Sequence, residues 1–220
     1  MTWEKLLPLL WESTVETLYM TFWSSLIAYA LGLPLGVLLV VTRRQGIMPA
    51  PTFNAVLGVV INFLRSIPFI IMLALLFPVT RAVVGTAIGT DAIVFPLIVS
   101  AFPYIARMVE SSLEEVDHGI IEAAQSMGST NAQIIFKVLL PEAVPSLVNG
   151  AAISITTILG YTAMASAAGG GGLGALAIVK GLNVRKYDVM YSASILLVML
   201  VQIITVFGTR FTRGLDHKRR

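Results

Sequence analysis

Few residues in this chain are of a type that performs covalent chemistry. There is no cysteine, which removes thiolate catalysis, disulfide frameworks and Cys-based zinc or iron–sulfur sites. The two histidines, His118 and His217, are too few for a His-rich metal site. Gly169-Gly-Gly-Gly-Leu-Gly-Ala-Leu-Ala imitates a phosphate-binding loop, but the Gly-Lys-Ser/Thr ending is missing, and no Walker A sequence occurs elsewhere. Its plain reading is a backbone break that closes or lines a path. What remains is a set of residues suited to docking and positioning. Two places concentrate them: the polar stretch from 110 to 145, and Arg65, a single charge in a long apolar run.

Local chemistry organises the polar stretch. In Asp117-His-Gly-Ile-Ile-Glu-Ala-Ala-Gln-Ser-Met-Gly128, Asp117 is placed to cap a helix and Gly128 to take the left-handed position that ends it. Thr130, followed by Gln133, forms a capping box for a second helix with apolar Ile134, Ile135, Val138 and Leu139, which Pro141 is expected to close. Each helix has about ten residues, below the roughly 12–15 at which an isolated helix is stable in water, so both must pack on something. Their own membrane domain, the lipid surface and a separate partner are all open at this point.

The elements that position these residues are membrane spans. Of 220 residues 56% are hydrophobic and 12% charged, with a mean hydropathy of +0.85, so the chain 1–220 reads as one all-α integral membrane domain. A helix needs about 20 mostly apolar residues to cross the hydrocarbon. Uncharged gaps accordingly place spans at about 18–41, 54–79, 92–109, 146–168 and 189–209, with the loop 110–145 between the third and fourth. Asp/Glu and Lys/Arg otherwise cluster between spans. With the N-terminus outside, nine basic residues (Arg43, Arg44, Arg107, Lys137, Arg210, Arg213, Lys218, Arg219, Arg220) face inward and five (Lys5, Arg81, Lys180, Arg185, Lys186) face outward. The positive-inside rule therefore gives N-out and C-in and puts loop 110–145 in the cytoplasm. The net charge of +3 reads as topology and lipid contact, with no nucleic-acid partner. The N-terminal segment, carrying Glu4, Lys5, Glu12 and Glu16, does not have the pattern of a signal peptide.

Glu122-Ala-Ala, Gly128 six residues on, and Val138-Leu-Leu-Pro141 resemble the EAA loop of bacterial ABC-importer permeases, Glu-Ala-Ala-x3-Gly-x9-Ile-x-Leu-Pro, with Val138 for Ile as the one departure. The resemblance implies a multi-pass protein of the bacterial plasma (inner) membrane. Its two short helices would dock into a groove of an ATP-binding cassette subunit and transmit closure, with Glu122, Ala123, Ala124, Gly128, Leu140 and Pro141 as coupling residues. It implies no resident cofactor, ATP and Mg being held by the partner. Leu64-Arg-Ser-Ile-Pro-Phe69 and Gly160-Tyr-Thr-Ala-Met164, followed by the Gly-rich run, are similar to the methionine-uptake permeases over nearly the whole chain. This implies two copies of the permease with two ATPase subunits and an extracytoplasmic methionine-binding (lipo)protein. Import of L- and D-methionine and close derivatives is the expected activity. Another amino acid or small solute is the alternative cargo, and an ion-driven carrier the alternative class.

Candidate path residues follow from the spans. Arg65 sits in the second, three residues before Pro68, which frees the carbonyl of Leu64 for Ser66 or a neighbouring helix to satisfy. It either contacts a substrate carboxylate or serves freed carbonyls. Tyr161, Ala163 and Met164 lie within a turn of the fourth span, followed by small residues suited to close helix packing. The topology has a direct check in this cysteine-free chain. A Lys186→Cys variant reacts with a membrane-impermeant thiol reagent in intact cells and Ser129→Cys does not; labelling of Ser129→Cys from outside overturns the N-out orientation.

Overall fold

A computed structural model describes residues 3–215, in which helices are joined by turns and irregular segments, with no strand among them. In order the helices are α1 (Trp3–Val41), α2 (Pro51–Ser66), α3 (Phe69–Val84), α4 (Thr90–Glu114), α5 (His118–Ser126), α6 (Asn131–Ile134), α7 (Leu140–Met164), α8 (Gly172–Ala175) and α9 (Tyr187–Leu215). Wide π-turns at Ile135–Leu139 and Leu176–Leu182 extend α6 into α7 and continue α8, and a 3₁₀ turn at Ala165–Ala168 follows α7. Helix α1, the run from α6 through α7, α4 and α9 are each long and apolar enough to cross a membrane. Helices α2 and α3 form a bent pair that makes a fifth span when counted as one. Lys218, Arg219 and Arg220 of the charge count, and His217, lie outside the described residues.

The described chain forms two compact units. One takes α1 up to Ala28, Ile67–Ala101 and Ser154–Thr205; the other takes Tyr29–Ser66, Phe102–Ile153 and α9 from Val206. In the first unit Leu6 and Leu10 are buried with Leu173, Leu176, Val189 and Ala193. The helix that carries the first expected span begins at Trp3, well before Leu18, and its first turns bury an apolar face on protein. Met20, Phe69, Leu73, Ile93, Leu97 and Ala165 form a second cluster. Between them runs the Gly-rich turn. Glu16 Oε2 accepts from the N–H of Gly172 at 2.6 Å, and Thr17 Oγ1 accepts from that of Leu173 at 2.9 Å. Two donors at the start of α8 are thereby satisfied by α1, as a helix N-terminus in an apolar setting requires. A Cβ on Gly171 would stand 2.5 Å from Glu16 Oε2 and from Thr90 Oγ1, and Gly172 has φ +87°, so a side chain at either position is costly.

Helix α4 is the hub of the second unit. Gly32 and Gly36 bring α1 onto it: a Cβ on Gly36 would lie 2.6 Å from the carbonyl oxygen of Ala106, and one on Gly32 would lie 2.7 Å from Ile105 Cγ2. Leu39, Ile61 and Ala106 are buried together beside that contact. Asn54 Nδ2 donates to the carbonyl of Leu39 at 2.6 Å and to Thr42 Oγ1 at 2.9 Å, stapling α2 to the end of α1. Gly150 of α7 faces Met108, and Gly208 of α9 faces Ala152. Helix α4 continues to Glu114, past the expected span end at 109, because the charges in its last turns are paired with one another and with α1.

Two expectations about prolines are corrected. Pro68 takes φ −56° and ψ 139° as the residue that precedes α3, so the single span expected at 54–79 is divided into two helices. Pro141 does not close a helix. It lies in the first turn of α7, where its missing N–H costs least, and the wide turn before it absorbs the altered register, with the N–H of Leu140 donating to Ile135. Arg81, expected in a turn, falls in the last turn of α3, which Gly85 ends with φ +86°.

Adding a branched side chain at the α1–α4 contact forces it against a backbone carbonyl that no rotamer change can move. Gly36→Val is expected to destabilise the purified protein by about 1–3 kcal/mol, read as a lower melting temperature in detergent. Gly160, where a Cβ would have no atom within 4 Å, is the control: Gly160→Ala leaves the melting temperature unchanged or raised.

Candidate coupling surface and path residues

The polar loop folds as its caps require. Asp117 Oδ1 accepts from the N–H of Gly119 at 2.7 Å and starts α5. Gly128 then takes φ +79°, its N–H donating to Gln125 at 2.9 Å while that of Ser129 donates to Ala124 at 3.1 Å. A Cβ at Gly128 would have no atom within 4 Å, so the need for glycine is conformational rather than steric. Thr130 and Gln133 close both halves of the capping box, at 3.3 and 2.8 Å. Every backbone donor these caps satisfy is one a short helix would otherwise leave to water.

The two helices have opposed faces. Inward, Ala124 is 3% exposed, and Ile134 and Leu139 are buried. A cavity of about 230 Å³ lies on this side, its lining including Leu113, Ile121 and Ile134, with Arg43, Gln45, Glu114 and His118 as polar members. Outward, Ile120, Ala123 and Met127 repeat at i, i+3 and i+7 along α5, and Ala132 and Phe136 at i and i+4 along the next helical stretch; all five are exposed, Met127 at 79% and Phe136 at 69%. Glu122 is exposed beside this stripe. Packing on its own unit thus uses one face of the loop and leaves a second apolar face bare. Of the expected coupling residues, Glu122, Ala123, Gly128 and Pro141 are exposed, Leu140 is half-buried, and Ala124 points into its own unit. Met127 and Phe136 did not stand out in the sequence. Apolar residues occur on both sides of α5, and only the packing of Ala124 and Ile121 distinguishes inner from outer.

The path candidates are placed as follows. Arg65 is exposed in the last turn of α2 and makes no hydrogen bond or ion pair among the described residues. Ser66 does not serve the carbonyl of Leu64 as expected; its hydroxyl donates to Asn62 at 2.8 Å. In the other unit Tyr161 is half-buried and stacks on Phe69, the rings 4.7 Å apart and 5° from parallel. Ala163 backs directly onto Gly174, where a Cβ would overlap its backbone. Met164 is 54% exposed. Among the described residues no group of three or more His, Asp or Glu side chains is arranged to hold a metal ion.

An all-helical membrane chain carrying a capped, two-faced loop of this sequence is of the permease class. The family described as the binding-protein-dependent transport system inner membrane component matches residues 32–220, and the chain belongs to that family. The D-methionine transport system permease protein MetI of Escherichia coli K12 is 49% identical over 160 residues, 71% of this chain and 74% of that protein. The methionine import system permease protein MetP of Bacillus subtilis is 42% identical over 209 residues, 95% of this chain and 94% of that one. Among solved structures, inward-facing conformations of the MetNI methionine ABC transporter include a chain 45% identical to this one, with a TM-score of 0.96 over 99% of this chain and all of that one. An amino acid ABC transporter with histidines has a TM-score of 0.74 at 21% identity, over 97% of this chain and 95% of that one, a likeness of fold alone.

The φ of +79° at Gly128 sets a local expectation. Gly128→Val places a β-branched residue in the left-handed region at a cost of about 1–2 kcal/mol. Amide hydrogen exchange over residues 118–134 should then accelerate severalfold, while the amides of α4 stay as protected as before. Unchanged exchange in the loop counts against glycine being needed there.

Proposed function

We propose that this chain is the membrane-spanning permease subunit of an ATP-driven ABC importer for methionine, in L and D forms, and close derivatives. The observation that carries the coupling part of this reading is the bare apolar face of Ile120, Ala123, Met127 and Phe136 on a loop whose helices are already capped and packed on their other side. A hydrated loop gains nothing by exposing such a stripe unless a partner covers it. Membership of a binding-protein-dependent transport family, and 45% identity to a chain of the MetNI methionine transporter across almost the full length, support the cargo and the partners.

In this reading residues 1–220 act as one permease domain, two copies of which pair with two copies of an ATP-binding cassette subunit. An extracytoplasmic methionine-binding (lipo)protein delivers the cargo. With the N-terminus outside, the loop 110–145 is cytoplasmic. ATP and Mg belong to the cassette subunit, and the permease contributes no group to hydrolysis. Phe136 and Met127 fill apolar depressions of the cassette subunit, and Glu122 meets a basic group at their rim. Closure of the cassette pair pushes the loop, and the wide turn at Ile135–Leu139 passes that push into α7. Helix α7 is continuous from Leu140 to Met164, so a displacement at the loop reaches Tyr161, Ala163 and Met164. Met164 is the member of that group open to a passing solute, and its flexible thioether suits an apolar passage that changes shape. Arg65 is the second path candidate, a cation available to a carboxylate.

The complex in proteoliposomes, supplied with its binding protein, is expected to accumulate labelled L- and D-methionine only with ATP inside. Phe136→Ala should weaken retention of the cassette subunit about tenfold or more, as truncation of a buried aromatic anchor does. Uptake of another amino acid in place of methionine overturns the cargo. ATP-independent uptake driven by an ion gradient, or full retention of the cassette subunit by Phe136→Ala, overturns the class or the docking face respectively.

A further inference from the structure

A buried carboxylate beneath the loop has no part in the docking face. Glu110, 6% exposed near the end of α4, accepts from Arg43 Nη2 at 2.7 Å on one oxygen and from Arg107 Nη1 at 2.6 Å on the other. Arg107 Nη2 continues to the carbonyl of Gly58 on α2 at 3.0 Å. Arg43 also pairs with Glu114. Two guanidinium groups thus balance two carboxylates, and the network joins three elements at one point: the end of α1, the middle of α2 and the end of α4. The apolar trio Leu39, Ile61 and Ala106 comes from the same three elements.

Burying this network has a cost that apolar packing of the same volume would avoid, and one buried atom of it, Arg107 Nε, has no partner. What the network adds over apolar contact is direction. Both oxygens of Glu110 and both terminal nitrogens of Arg107 are engaged, so α4 cannot slide against α2 or α1 without breaking a charged hydrogen bond. The loop begins directly after α4, at Asp117. Any displacement entering from the loop therefore meets this tie first.

We propose that Glu110 is a positioning residue for coupling: through Arg43 and Arg107 it makes α1 and α2 follow α4 when the loop is displaced. Loop motion then moves membrane helices together instead of dissipating in α4 alone. This rests on the importer reading.

The test uses the assembled complex in proteoliposomes and reads methionine transported per ATP hydrolysed, together with the nucleotide-induced change in distance between spin labels on Val56→Cys of α2 and Ser111→Cys of α4. In the otherwise unaltered permease the label distance is expected to stay constant between nucleotide states. Glu110→Gln should assemble and hydrolyse ATP, while the transport ratio falls about tenfold and the label distance becomes nucleotide-dependent. Arg107→Lys keeps the charge but loses the fork to Gly58, and should lower the ratio severalfold. A purely structural role would lower transport and hydrolysis together, leaving the ratio and the label distance unchanged, and that result overturns the proposal. If Glu110→Gln fails to assemble, Arg43→Gln decides on the same two readouts, because its side chain is 43% exposed and its loss leaves the Glu110–Arg107 pair intact. Absence of ATP-dependent methionine uptake in the unaltered complex refutes the importer reading instead. The label distances still report whether α2 follows α4 when nucleotide binds.

Discussion

The close approach of α1 to α4 is the contact on which the rest of the second unit depends. Lipid offers no hydrophobic drive between helices, so association rests on packing and polar contacts. Gly32 and Gly36 supply the packing by letting the backbone of α1 reach the carbonyl of Ala106. At that separation the side chain of Arg43 reaches Glu110, and Asn54 can tie α2 to Leu39 and Thr42. Were the two helices a methyl group further apart, Glu110 would keep Arg107 of its own helix but its bond to Arg43 would be stretched or lost.

A related constraint shapes the first unit. A helix that starts inside an apolar region must have its first donors satisfied by something other than water, and here α1 supplies Glu16 and Thr17. This accounts for the length of α1, for a carboxylate within it, and for glycine where the turn passes those side chains. The same turn follows directly from Met164, so the end of α7 is held by a fixed backbone path.

What the sequence made legible was governed by neighbours a few residues apart. Asp117, Gly128 and the Thr130–Gln133 pair act on donors within three residues, so the loop's helices could be placed from residue types alone, and the Gly-rich break likewise. The charge-free gaps expected at 92–109 and 189–209 fall within α4 and α9, and the one expected at 146–168 overlaps α7, which begins earlier, at Leu140. The misjudged features depend on partners far along the chain. Nothing near Trp3 announces that Leu6 and Leu10 will pack on Leu173 and Val189. Glu110 looks like a solvated charge until Arg43 and Arg107 converge on it. Gly32 and Gly36, four apart on an apolar helix, were an available sign of close packing that charge-gap reading passed over. Pro68 lay inside the single span expected at 54–79, and its ψ of 139° is what divides that stretch into two helices. Which side of α5 stays bare is likewise a tertiary fact.

The turn at Ile135–Leu139 holds more residues than an α-turn, and this bears on how such loops diversify. Successive α-helical residues are about 100° apart in azimuth. Removing one residue would convert the wide turn to an ordinary α-turn and leave everything before it, Met127 included, at nearly the same azimuth, because each residue of a wide turn rotates the chain by less than an α-helical residue does. Reach along the axis would change by only about 1.5 Å. The turn thus holds one residue of slack between the capped loop and α7. A one-residue change of length there is taken up inside the turn, so the capping box upstream and Pro141 downstream keep their places and the exposed face of the loop keeps its aim.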